Sequence, residues 1–314
     1  MATLLKTKKF IFGASFLVIL MTLSILNTVL NDGKIRQKQF FYDENGNLEK
    51  APPFEPFDVF PLGSDMYGYD ILHTVIEGAK FSIGITLIVA LFRLLFSVFF
   101  SYMLFRIPDR GFKWLKSLSE PLSFFPQTLI AYFLLRTVVL YTAEGFHHPF
   151  WVRAVYEFII LIMVALPALT VQLADQKRRV WNEEFVEAAV TLGGSKLHIY
   201  LKHILPHLYE EWILIFGQQF LQVLTLLVHL GVLKVLFGGT VLGFGFGGGD
   251  PPSSVTHEWS GLIGLNTRFL MTNEWIIYVP ILFFTLTALS VAMINKALSD
   301  WFSQKEMVRK NRGI

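Results

Sequence analysis

Phe10–Leu30 reads FIFGASFLVILMTLSILNTVL, a run of 21 residues without a charge. At about 1.5 Å per residue, a helix of that length crosses a hydrocarbon core of about 30 Å. Comparable runs follow at Phe81–Phe105, Leu122–Leu140, Val155–Leu173, Trp212–Phe237 and Trp275–Ile294. The expected fold is an all-α integral membrane protein with about six transmembrane helices. Lys6, Lys8 and Lys9 ahead of the first run look like the basic start of a signal peptide. The run is long, however, and ends in Asn27-Thr28-Val29-Leu30 with no small-residue cleavage site, so it reads as an uncleaved anchor.

Composition agrees with lipid as the main solvent. Of the 314 residues 53% are apolar and 16% charged, the mean hydropathy is +0.51, and there are 31 Phe, more than a compact soluble core would need. The net charge of +3 comes from Lys and Arg dispersed among acidic residues, which argues against nucleic-acid binding. With no cysteine there is no disulfide, no Cys-ligated zinc or iron–sulfur cluster and no thiol nucleophile.

Short cytoplasmic loops retain Lys and Arg, so the basic residues test the topology. Seventeen fall in the N-terminal tail, the loops 106–121 and 174–211 and the tail after 294, against seven in the loops 31–80, 141–154 and 238–274. Both termini and the loop 174–211 are therefore expected in the cytoplasm. The chain divides into an anchor helix with an external loop (1–80), the main transmembrane unit (81–300) and a tail (301–314). Loop 31–80 carries Ala51-Pro52-Pro53-Phe54-Glu55-Pro56 and is long enough for a small external cap. The glycine-rich stretch from Gly238-Gly239 to Gly247-Gly248-Gly249 reads as flexible or tightly packed backbone.

Chemistry-bearing motifs are few. Gly193-Gly194-Ser195-Lys196 has the letters of a phosphate loop but neither its spacing nor a preceding strand, and there is no zinc helix or nucleophile elbow. No cofactor is expected. His203, His207 and Glu211 are spaced for one helical face, but Pro206 intervenes beside a membrane entry, which favours an interfacial or docking role over a metal site. His147-His148, in a short outer loop, reads as solvated. Arg93 is the deepest charge, near the middle of its span, where a charge costs at least about 2.5 kcal/mol. It either lines a polar pathway or pairs with a carboxylate or backbone carbonyls of a neighbouring subunit. Arg136 and Lys234 lie near span ends and can snorkel.

Within the loop 174–211, Asn182-Glu183-Glu184-Phe185-Val186 leads into Glu187-Ala188-Ala189-Val190-Thr191-Leu192-Gly193-Gly194-Ser195, and Lys202-His203-Ile204-Leu205-Pro206 returns the chain to the membrane. This resembles the Glu-Ala-Ala loop of ABC-importer permeases, in which two short helices dock on an ATPase subunit. Two further stretches resemble the oligopeptide and dipeptide branch, in particular the second of its two paired permeases. They are Pro61-Leu62-Gly63-Ser64-Asp65-Met66-Tyr67-Gly68-Tyr69-Asp70-Ile71-Leu72 with Gly78-Ala79-Lys80-Phe81-Ser82, and Asp250-Pro251-Pro252 with Trp259 and Gly261.

The resemblance spans about residues 58–300. It departs at Tyr69, where the signature has Arg, at Val171 and Ala174, where the family is basic, and in the fifth span, where no acid occurs between Trp212 and Gly249. It implies a permease that is not itself an enzyme. ATPase subunits, a second permease and an external solute-binding protein would be its partners in the lipid bilayer. Glu187, Ala188, Ala189, Gly193, Leu205 and Pro206 would form the ATPase-docking loop. The alternative is a membrane sensor or assembly scaffold that keeps the loop without transporting. An intramembrane enzyme would need paired polar residues in adjacent spans, which these runs lack.

Overall fold

Residues 7–42, 48–139, 145–241 and 253–311 are described in the computed structural model. The first apolar run forms α1 (Lys8–Asn31), whose buried residues Gly13, Leu20, Ser24 and Asn27 make one narrow stripe. That stripe packs on α2 (Ile71–Phe105) and α11 (Trp275–Asn311). Against α2 the contact is polar. Ser24 Oγ donates to the Glu77 carbonyl at 2.8 Å and Asn27 Nδ2 to Glu77 Oε2 at 2.8 Å. Against α11 it is close: a Cβ on Gly13 would lie 2.5 Å from the Ser290 carbonyl oxygen. Small and uncharged polar residues are the usual means of joining helices where the solvent is as apolar as the side chains.

The described residues of loop 32–70 form a cap over one end of α2. Its Phe41–Tyr42 and Leu48–Lys50 form a two-stranded ribbon, β1 and β2, and Phe54 is buried. The Pro61–Leu72 stretch is a set of backbone devices. Asp65 accepts from the amides of Tyr67 and Tyr69, and Gly68 sits at φ +80° against the Lys38 carbonyl, where a side chain has no room. Asp70 caps α2 by accepting from the amides of Leu72 and His73, and its other oxygen pairs with Arg36 at 2.5 Å. The helix therefore starts at Ile71 rather than at Phe81, and the expected boundary at 80 falls inside it. The expected boundary at 300 likewise falls inside α11.

α2 lies at the centre, touching helices from both ends of the chain. The amphipathic α3 (Asp109–Phe124) follows it, then α4 (Gln127–Val139), α5 (Phe150–Met163), α6 (Leu166–Trp181), α9 (Leu205–Val232) and the short α10 (Trp259–Asn266). Trp259 is fully buried and bolts α10 to α2, its indole donating to the Val75 carbonyl at 2.8 Å and its amide to Ser82 Oγ at 2.8 Å. α10 also meets α9 backbone to backbone: a Cβ on Gly264 would lie 2.0 Å from the Gly231 carbonyl oxygen. Thr240–Val241 and Ser253–Ser254 pair as β3 and β4. Residues 242–252 between them, which include most of the glycine run and Asp250-Pro251-Pro252, lie outside the described residues.

The chain is a multi-pass helical membrane protein, and the expected count of about six spans is not confirmed among the described residues. Among the described residues four helical stretches are long and apolar enough to cross: Lys8–Asn31, Ile71–Phe105, Lys196–Val232 and Trp275–Lys305. A fifth counts if α5 and α6, bent by 41°, are one broken span. The expected Leu122–Leu140 span is split around Phe125-Pro126, because proline cannot continue the helix of α3. What remains among the described residues is α4, whose 13 residues reach about 20 Å.

Candidate functional site

Glu187, Ala188 and Ala189 lie on α7 (Glu184–Thr191), an eight-residue helix between α6 and the re-entry into α9. The buried Val186 holds it down, in one cluster with Ile199, Tyr200, Ile204, Leu208 and Trp212. The opposite side is open. Glu187 and Ala188 are exposed, and so are the apolar side chains of Phe185, Val190, Leu192 and Leu197, with Leu192 88% accessible. Gly193 stands at φ +82°, the left-handed conformation that ends α7, and a Cβ there would meet nothing within 4 Å. The crowded glycine is its neighbour: a Cβ on Gly194 would lie 3.0 Å from the Ala189 carbonyl oxygen.

Ser195 then caps the next turn by accepting from the His198 amide at 3.3 Å. α8 (Lys196–Ile199) widens into a π-helical turn, Tyr200–Ile204, before α9 opens with Leu205 and Pro206. The widening has a local cause, since the Pro206 ring would clash with the Lys202 carbonyl in a regular helix. His203, His207 and Glu211 do not converge. The His207 ring lies 5.6 Å from that of Phe185, His203 faces the His198 ring at 6.4 Å, and Glu211 Oε1 accepts from Gln176 Nε2 at 2.6 Å.

The loop is anchored to the spans through α6. Lys177 is fully buried, and its ammonium donates to the Val98 carbonyl at 2.9 Å and to Ser101 Oγ at 2.7 Å, with the rings of Tyr200 and Trp212 each 5.2 Å away. Arg178 donates to the Leu104 carbonyl at 3.1 Å and to that of Ile107, and pairs with Asp109, satisfying the carbonyls at the end of α2. The sequence reading placed both residues in the cytoplasmic loop 174–211. Their signal was their position on a helix with Leu169, Leu173 and Val180, which share its buried face.

Arg93 is completely buried. Its Nε and Nη2 donate to the Leu161 carbonyl at 2.9 and 2.5 Å, and Nη1 donates to Gln219 Oε1 at 3.4 Å. The carbonyl is available because of the break between α5 and α6: the Ala165 amide turns to the Ile162 carbonyl, and Pro167 leads α6 onward. In hydrocarbon a freed carbonyl must be satisfied by another protein group. That group is the guanidinium, whose acceptors among the described residues are the Leu161 carbonyl and Gln219 Oε1. Arg136 is exposed, and its guanidinium lies 5.8 Å from the Tyr132 ring. Lys234 lies past the end of α9 and donates to the Gly264 carbonyl.

Long apolar helices joined by a loop of two short helices, carrying Glu-Ala-Ala, a left-handed glycine and Leu-Pro, define a class: a multi-pass helical membrane protein with an exposed two-helix loop. No family model matches the chain. Two curated proteins align with it. One is the oligopeptide transport system permease protein OppC of Haemophilus influenzae, 24% identical over 265 residues, 82% of this chain and 74% of that protein. The other is the di/tripeptide transport system permease protein DppC of Pseudomonas aeruginosa, 22% identical over 246 residues, 78% of this chain and 72% of that protein. These matches bear out the resemblance to oligopeptide and dipeptide permeases read from the sequence.

Proposed function

We propose that the chain is a permease subunit of an ATP-driven peptide importer, the second of two paired permeases, in a bacterial cytoplasmic membrane. The observation that carries this reading is the loop of residues 183–206: an exposed apolar and acidic rim on a base packed into the spans. Glu187, Ala188, Ala189, Gly193, Leu205 and Pro206 form or frame the contact with an ATPase subunit. The relatives' transport of oligopeptides and di- or tripeptides supports peptides as the solute class. ATP is hydrolysed in the partner, and an external binding protein delivers the solute. Closure of the ATPase moves α7, and the anchored α6 carries that displacement to α2 as a rigid-body shift.

The test is reconstitution with the neighbouring subunits. Glu187→Lys reverses a charge in a close contact, where misplaced charge costs several kcal/mol. Gly193→Val is strained by about 1–2 kcal/mol in its left-handed conformation, although its Cβ would meet nothing within 4 Å. Both variants are expected to insert normally while ATPase co-purification and peptide-stimulated hydrolysis fall by about tenfold or more. Wild-type values for both would overturn the docking assignment.

A further inference from the structure

Exposed positions on a membrane-spanning helix are normally apolar, as on α2, where Leu87, Leu91 and Leu95 face outward. α9 does the opposite. Between Leu214 and Gly231 its exposed residues are Gln218, Gln222, Thr225 and His229, spaced so that they share one face. None carries an acid or an amine. Gln222, Thr225 and His229 border a cleft of about 380 Å³ whose far wall includes Gln127 and Thr128 of α4, and His229 Nδ1 lies 3.2 Å from Thr128 Oγ1. Uncharged amides left in hydrocarbon without partners are costly, so this face meets water, a polar solute or a polar protein surface.

The orientation of one amide narrows the choice. The Arg93 guanidinium has only donors, so it is the oxygen of Gln219 that faces it, at 3.4 Å. The other end of that amide, Gln219 Nε2, donates to Gln222 Oε1 at 3.0 Å. Gln222 therefore has its oxygen engaged, and its two N–H groups have no acceptor among the described residues. We infer that Gln222 is a solute-contacting residue of the translocation pathway, offering hydrogen-bond donors to the carbonyl oxygens of a peptide backbone, with Arg93 and Gln219 as the relay that holds it donor-outward. A wall whose polar groups are amides, hydroxyls and an imidazole set among leucines, with no carboxylate or ammonium, suits a solute recognised by its backbone rather than by side-chain charge. The inference deepens the permease reading and rests on it.

Because the chain has no cysteine, single substitutions report access cleanly. In the assembled importer in proteoliposomes, Gln222→Cys and His229→Cys should react with a cationic, membrane-impermeant methanethiosulfonate supplied to both faces. Leu91→Cys should not, and trialanine should protect Gln222→Cys. Gln222→Met, which keeps the length and removes the donors, should lower uptake of radiolabelled trialanine about tenfold, mainly through KM, with ATPase co-purification unchanged. Gln222→Asn, which keeps the donors, should recover part of it. Labelling in the isolated chain but not in the assembled importer would make the face a subunit interface and overturn the inference. Wild-type uptake by Gln222→Met would do the same while leaving the permease reading intact. Failure of the wild-type importer to take up any peptide would instead overturn the permease reading.

Discussion

Asp65 Oδ1 accepts the amides of Tyr67 and Tyr69, each at 2.9 Å, in the turn that leads into α2. Burial pushes its carboxyl up from 3.8 to about 6, against the opposing pull of those backbone N–H groups. A carboxyl that holds its proton more tightly in the fold than in the unfolded chain contributes stability below about pH 4, and loses it as pH rises through about 6. Asp65→Asn keeps the accepting oxygen and removes the titration, so its melting temperature in detergent should be flat between pH 5 and pH 7, where the wild type declines. Asp65→Ala should lose about 1–3 kcal/mol at either pH. A wild-type profile for Asp65→Asn would show that the carboxyl does not titrate there. The sequence displayed this turn as a signature, and its reasons are backbone geometry at Gly68, Asp65 and Asp70. Tyr69 enters through its main chain, its carbonyl accepting from the Asp65 amide at 3.0 Å, which is why the departure from the family's Arg leaves the turn formed.

Among the elements, α1, α2, α9 and α11 were legible because each is a long uninterrupted apolar run. The α5–α6 break and the α3–α4 split were not, since hydropathy sums apolar residues and does not register where a proline frees a carbonyl. Arg93 was legible as an anomaly, but its acceptors lie 68 and 126 residues away in the chain and had no local signature. Lys177 was hidden for the opposite reason. It stood among four other basic residues of a loop that looked wet, whereas α6 carries it into the bundle. A buried ammonium held by a carbonyl, a hydroxyl and two rings, with no carboxylate partner among the described residues, gains little over an apolar side chain of equal length. Lys177→Met should therefore leave thermal stability within about 1 kcal/mol of wild type, while Lys177→Glu, which aims a carboxylate at the Val98 carbonyl, should lose about 3–5 kcal/mol. Equal losses in both, read by unfolding in detergent, would mean that the ammonium is itself a net stabilising contact.

For the whole molecule, we propose from the unequal division of basic residues, 17 against seven, that residues 174–211 and both termini lie on one side of the bilayer and the cap and β3–β4 on the other. In intact cells Ser253→Cys should react with an impermeant thiol reagent and Ser195→Cys should not, and the reverse pattern would invert the topology. The order of synthesis adds a constraint of its own. Arg93 leaves the ribosome 68 residues before the Leu161 carbonyl that satisfies it. During that interval α2 carries a guanidinium that bare lipid would solvate poorly. Release into the bilayer one helix at a time is thus unfavourable for this chain: α2 would have to wait beside the insertion machinery until α5 emerges, and the two would enter the membrane as a pair.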